Sequence, residues 1–354
     1  YMAGNQALGR NLDANAMRNH FYRFPGVDND KDKTLSAMLR MAVIAQTQER
    51  YEKAPVETDE QRAEKAALEG LVKQLFVELK RDFKPSDLPP YTLVKLGMHL
   101  AGTSQPEESI SYFDEILDPS EPDPVRKKAR INGMSKYRKN AVFGKAVALG
   151  RSKDNAKVDT AIKMMRDELS KEESSSNPDR KAMEDAQYNL VKFTSARQDW
   201  PAVIAAADKY RENKTYKKNL PEVLYLQGEA YLKQNELDKA LINFMNITGT
   251  YKGLVKWSAP AVLAQMDTLW KRNTMSQGAG KQPSDRYVAW KAGSQYVQLL
   301  DTPANRKKMT AEDSALVNEV KDKTAKFGSD PAVSQERADI AAYEAAVRAA
   351  KGQK

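Results

Sequence analysis

Cysteine is absent from this sequence of 354 residues, and histidine occurs twice, as His20 and His99. The first absence excludes disulfides and thiol chemistry. It also suits an oxidising compartment, where a stray thiol is a liability, although many cytosolic chains share it. With two histidines far apart in sequence, neither a Ser-His-acid triad nor a zinc site is expected. No apolar run approaches the ~18–20 residues that a membrane-spanning helix needs, so no transmembrane segment is expected. Aromatics make up 8% of the chain, yet the apolar share of 41% is enough for a continuous core.

What the sequence has in quantity is charge. Charged residues reach 30%, and mean hydropathy is −0.70. The length allows two or three compact domains or one elongated array of stacked units, and thin units with much surface fit these totals. The net charge is +9 and the pI about 9.3. Such a balance can favour nucleic acid, anionic lipid heads or acidic glycans. Because 48 acidic residues are interspersed, a solvated lysine-rich surface accounts for it more simply. Tyr1 stands where an initiator methionine would. That fits a processed, truncated or fragmentary chain, with a removed signal peptide as one explanation.

Residues 1–33 form an irregular N-terminal segment, with a short helix expected at Asn11–Tyr22, a turn at Pro25-Gly26 and the polar loop VDNDKDK. Asp28, Asp30 and Asp32 alternate as in a calcium loop. Lys33, however, takes the place of its glycine and Leu39 that of its bidentate glutamate, so the stretch reads as a solvated linker. Residues 34–90 read as a helical cap. Thr34 is expected to start a helix to about Lys53, and a second helix spans about Thr58–Phe83. On the second, Leu68, Leu71, Val72, Leu75, Phe76, Leu79 and Phe83 make one apolar stripe, which Pro85, Pro89 and Pro90 end.

From Tyr91 to Leu300 the chain reads as successive helical hairpins, and residues 301–354 as a second cap of two helices. The best-formed hairpin is NLPEVLYLQGEAYLKQNELDKALINFMNITGTYKG, Asn219–Gly253. In it Gly228, Tyr231, Ala240 and Phe244 fall at offsets of three, nine and four. Phe193 and Ala202 are also nine apart, and Phe193 precedes Tyr231 by 38 positions, a period that with helix pairs means a solenoid. Leu96-Gly97 on a first helix, and Phe113 on a second helix opened by Pro106-Glu107-Glu108, supply part of the pattern earlier. Leu190 replaces the small residue in the Asp185–Tyr210 hairpin and would push its helices apart. In Val125–Gly150 three glycines each cost roughly 1 kcal/mol against alanine in a helix interior. A break is expected there, near Gly133 or Asn140.

At Asn219–Gly253 the pattern resembles the tetratricopeptide repeat, and the resemblance covers about Tyr91–Leu300. It implies an all-α, right-handed α-α superhelix, a solenoid with helical caps, that works as a non-enzymatic scaffold. It also implies a concave groove lined by the first helix of each hairpin, holding a peptide or a partner helix. Its groove positions fall on Tyr225, Glu229 and Lys233, and in the preceding unit on Gln187, Val191 and Thr194. The turn YKGLVKWSAPA is similar in style to bacterial cell-envelope members of the family. The expected location is therefore periplasmic or otherwise exported, with the cytoplasm as the alternative. The expected role is recruitment of protein partners, in the setting of an outer-membrane transport or assembly machine.

Two other features could bind. Arg126, Lys127, Lys128, Arg130, Lys136, Arg138, Lys139 and Lys145 occur without an intervening acid, a patch able to attract a polyanion such as an acidic glycan. Its few aromatics give little support to nucleic acid. Trp257, Trp270 and Trp290 offer planes for protein or sugar contacts, or else pack between repeats. The stretch GAGKQPS from Gly278 lacks the first glycine of a phosphate loop, follows no expected strand and has Gln282 where Ser or Thr belongs, so it reads as an inter-helix loop. No catalytic residue, metal site or cofactor is expected.

Overall fold

The computed structural model describes residues 30–352 apart from 57, 279 and 307–308. The Asn11–Tyr22 helix, His20 and the first three residues of the aspartate-rich loop lie outside the described residues. The regular elements of the described residues are all helices, without a strand, and the chain divides into two compact units, Tyr1–Met165 and Arg166–Lys354.

In the first unit α1 (Asp30–Lys53) packs on α2 (Asp59–Asp82). Helix α1 begins four residues before Thr34, inside the expected loop. Thr58 caps α2 through a reciprocal pair of bonds with Gln61, which satisfies two free N–H groups of the first turn. The expected stripe is its inward face: Leu68, Val72, Leu75, Phe76, Leu79 and Phe83 are all buried. After a 3-10 turn at Pro85–Asp87 come α3 (Pro90–Ala101), a second 3-10 turn at Pro106–Ser109 and α4 (Ile110–Leu117). Next come α5 (Pro124–Met134) and α6 (Arg138–Gly150), separated by the 3-10 turn Ser135–Tyr137, between the two expected break points.

Phe113 organises this unit. Its ring is fully buried between two glycines of other helices. A Cβ added to Gly97 on α3 would stand 2.8 Å from the ring, and one added to Gly144 on α6 would be closer still. Gly144 is thus a place where a ring needs room, rather than a weak point of its helix. His99 stacks on Phe76 with centroids 3.9 Å apart. Burial, and then Lys73, lower its pKa, so it packs as a neutral ring.

Helix α7 (Asn155–Glu173) carries the division between the units. The second unit contains α8 (Arg180–Ala196), α9 (Trp200–Glu212), α10 (Leu220–Lys233), α11 (Leu237–Thr250), α12 (Val255–Arg272) and α13 (Asp285–Leu300). The short α14 (Pro303–Arg306), α15 (Ala311–Gly328) and α16 (Pro331–Gly352) complete it. Asp179, Asp199, Ser284 and Thr310 cap α8, α9, α13 and α15 through their side chains.

Each helix from α8 to α13 packs on the next. In addition α8 touches α10, α10 touches α12, and α12 touches α15. Sequential packing with this skip brings the first helices of successive hairpins side by side, as in an α-solenoid. Within α10–α11 the sequence pattern has a direct cause. A Cβ at Gly228 would lie 2.6 Å from the Phe244 ring, and Ala240 and Phe244 have no exposed surface. Tyr231 is partly buried against the same cluster, with the Lys239 amine 5.3 Å from its centroid.

The neighbouring hairpins distribute bulk differently. Leu190 stands at the Gly228 position, and Ala206 at the Phe244 position. Gln187 Nε2 donates to the Ala206 carbonyl at 2.9 Å, so the two helices still approach closely. In α12–α13 the first helix supplies Met266 and the second Gly293, where an added Cβ would meet the Met266 sulfur at 2.8 Å. A large group facing a small one recurs, with the order reversed.

Candidate functional site

Residues of two expected sets come together on the partly exposed side of α10 and at the start of α12. Tyr225 and Glu229 are half-buried on α10 and Lys233 is exposed one turn on. Trp257, partly exposed near the start of α12, stands 6.5 Å from Tyr225 between ring centroids, tilted by 47°. Behind Tyr225 lies Phe244 at 5.8 Å. The sequence places Tyr225 and Trp257 in two separate candidate sets, and the fold joins them.

The electrostatics of this spot follow from its partial burial. Burial pushes the Glu229 carboxyl above the ordinary carboxylate range, while the neighbouring Tyr225 hydroxyl and Lys233 pull the other way. Burial, then the charge of Glu229, raise the Tyr225 hydroxyl to about 12. The charge of Glu319 on α15 adds to that rise. Nothing in its local sequence marks Glu319, because only packing of α15 on α12 brings it there.

The other groove positions do not form a surface. Gln187, Val191 and Thr194 are 5%, 0% and 3% exposed. Gln187 bonds to Ala206, and the Thr194 hydroxyl donates back to the Leu190 carbonyl at 2.7 Å. On α8 the inward stripe and the expected groove stripe coincide, so these three residues are core. Tyr188, next to them, donates to Glu222 at 2.6 Å and so ties α8 to α10.

Two tryptophans are also structural. Trp270 stacks on Phe327 of α15 at 3.9 Å, with the Arg286 guanidinium 4.9 Å from its centroid. Trp290 lies against Gly328 and beneath Arg337, 4.1 Å away. Both fasten the last helices to α12 and α13.

The basic run is less free than its sequence implies. Lys127 pairs with Asp118 at 2.6 Å, Arg130 with Glu115 at 3.1 Å, and Lys145 with Asp114 at 2.6 Å. These acids belong to α4 and its C-terminal cap, outside the run. Lys136 lies over Tyr137, and Arg138 reaches the Leu117 carbonyl at 3.4 Å. Arg126 and Lys128 remain exposed, and Lys139 is half-buried.

Around the glycine-containing loop, Arg272 bridges Asp238 of α11 and the buried Asp285 of α13, each at 2.6 Å. Asp285 also accepts the Thr274 amide at 2.8 Å, so its charge is spent on closing the loop. Beside it a cleft opens between residues 273–286 and α16, lined by Met275, Lys281, Pro283, Gln335, Asp339 and Ile340 among others. Among the described residues no group of three or more His, Asp or Glu side chains is placed to hold a metal ion, and no helix is long and apolar enough to cross a membrane. No protein-family model, curated protein or solved structure matches this chain.

Proposed function

We propose that the chain is a non-enzymatic scaffold of the tetratricopeptide type that binds protein partners in the bacterial cell envelope. In this reading the hairpins coil into a right-handed superhelix closed by helical caps, and the expected setting is an outer-membrane transport or assembly machine. The observation that supports it most is the skipping contact of α8 with α10, α10 with α12, and α12 with α15. Aligned first helices present one continuous face, and on it Tyr225 and Trp257 supply rigid aromatic area beside Glu229 and Lys233. Such mixed aromatic and charged patches suit protein hot spots.

Photo-crosslinking tests the face directly. With p-benzoylphenylalanine in place of Tyr225, irradiation of the source cells should yield a discrete adduct with another protein. The same group in place of Ile242, 58% exposed on α11, should not. Adducts from both positions alike, or from neither, would overturn the reading.

The exposure of Arg126, Lys128, Lys136 and Arg138 favours a second reading, in which α5 and the start of α6 hold an acidic glycan or another polyanion. Retention on a heparin column should then fall steeply with salt. It should also drop when Arg126, Lys128 and Lys136 are replaced by alanine. Unchanged elution of that triple variant would end this reading.

A further inference from the structure

Tyrosines on three helices carry their own cation. Tyr91 is followed four residues on by Lys95, Tyr188 by Lys192 and Tyr287 by Lys291. In each case the lysine amine lies over the ring, 5.7, 5.3 and 5.8 Å from its centroid. One turn of helix brings positions i and i+4 together, and the negative face of an aromatic ring attracts the amine. Tyr225 has Glu229 at its i+4 position. Among the described residues no cationic group lies over the Tyr225 ring.

Glu229 is half-buried one helical turn from Tyr225. No ion pair forms between Glu229 and Lys233, although one turn separates them. Most other half-buried carboxylates of this unit have a cation or a donor. Glu222 has Lys192 and Tyr188, Asp301 has Arg306 and Lys321, and Asp330 has Arg286. Beside Tyr225 is Trp257, with ring centroids 6.5 Å apart, and the Trp257 ring already accepts the Lys256 amine at 5.2 Å from its centroid. Glu319 adds a further negative charge from α15.

We propose that Tyr225, Glu229 and Trp257 form the receptor for an arginine or lysine side chain presented by a protein partner. The proposal rests on the scaffold reading and names what that face selects. The aromatic rings supply planes on which a guanidinium or ammonium can lie, and Glu229 supplies the anion that fixes it. The partner's cation takes the place that the chain's own lysine fills at Tyr91, Tyr188 and Tyr287.

A fluorescein-labelled nona-arginine peptide, followed by fluorescence anisotropy, tests this on the intact chain. The net charge of +9 disfavours a polycation overall, so binding requires a local receptor. Wild-type protein should bind the peptide. Glu229→Lys, which restores the arrangement found on the other three helices, should weaken binding by about tenfold while leaving the melting midpoint unchanged or raised. The isosteric Glu229→Gln and the truncation Trp257→Ala should each weaken it several-fold, and unlabelled nona-arginine should compete. No binding by the wild type, or equal affinity across the variants, would overturn the proposal. The benzoylphenylalanine adduct at position 225 does not depend on charge. An adduct without nona-arginine binding would therefore refute the cation receptor and leave the scaffold reading intact.

Discussion

Ala240→Glu should lower the melting midpoint of the second unit by about 10 °C and broaden its transition. Ala240 has no exposed surface, and it sits on α11 where that helix meets α10 near Gly228 and Phe244. A carboxylate there can neither reach water nor find a cation. Leaving a buried charge unpaired costs about 3–5 kcal/mol, and each kcal/mol moves the midpoint of a unit this size by about 2–4 °C. The loss should not stay local. Helix α10 packs on α8, α9 and α12 as well as α11, so prying α10 from α11 removes support from both neighbouring hairpins. Calorimetry and far-UV circular dichroism read this directly. A midpoint unchanged within error would show that the hairpin tolerates a charge at its tightest crossing, and the packing argument would fail.

Phe113→Ala is the corresponding test in the first unit, with an expected loss of about 3–5 kcal/mol. The ring fills the gap between Gly97 and Gly144, and neither glycine has a side chain to collapse into the space it leaves. Gly144→Leu should be costly for the opposite reason, since the new side chain enters the volume of the ring. The two together should cost less than their sum, because the leucine occupies part of the vacated volume. Urea unfolding of the two single variants and the double variant measures this coupling. A loss below about 1 kcal/mol for Phe113→Ala, or strict additivity, would count against the wedge.

What the sequence reveals and what it hides divide along a physical line. Helix existence and one-sided burial are local properties, written in the periodicity of Leu68–Phe83 and in caps such as Thr58, Asp199 and Ser284. The Gly228–Phe244 contact is legible because both partners lie in one hairpin. The meaning of Gly144 is not, because the ring it accommodates comes from α4. The same limit hides the acids that meet the basic run, since Asp114, Glu115 and Asp118 reach Arg130, Lys127 and Lys145 only through the packing of α4. Gln187, Val191 and Thr194 occupy groove positions by register, yet the packing of α8 turns that stripe inward. Trp270 and Trp290 show the same ambiguity. An aromatic on a helix is equally suited to a surface and to a seam, and which it joins depends on whether α15 and α16 come to rest on it.

The separation between Gly228 and Phe244, 16 positions from residue 228 to residue 244, also bears on how fast the molecule folds. Contacts between near neighbours close small loops and lose little chain entropy, and proteins rich in them fold quickly. Helices α8 to α13 are held mostly by such contacts, each meeting the next or the next but one. The Phe113–Gly144 contact spans 31 positions, from residue 113 to residue 144, and it requires α3, α4 and α6 to meet at once. The hairpins of the second unit can therefore form early and one by one. The first unit has to wait for a three-helix encounter, which makes it the slower half to assemble.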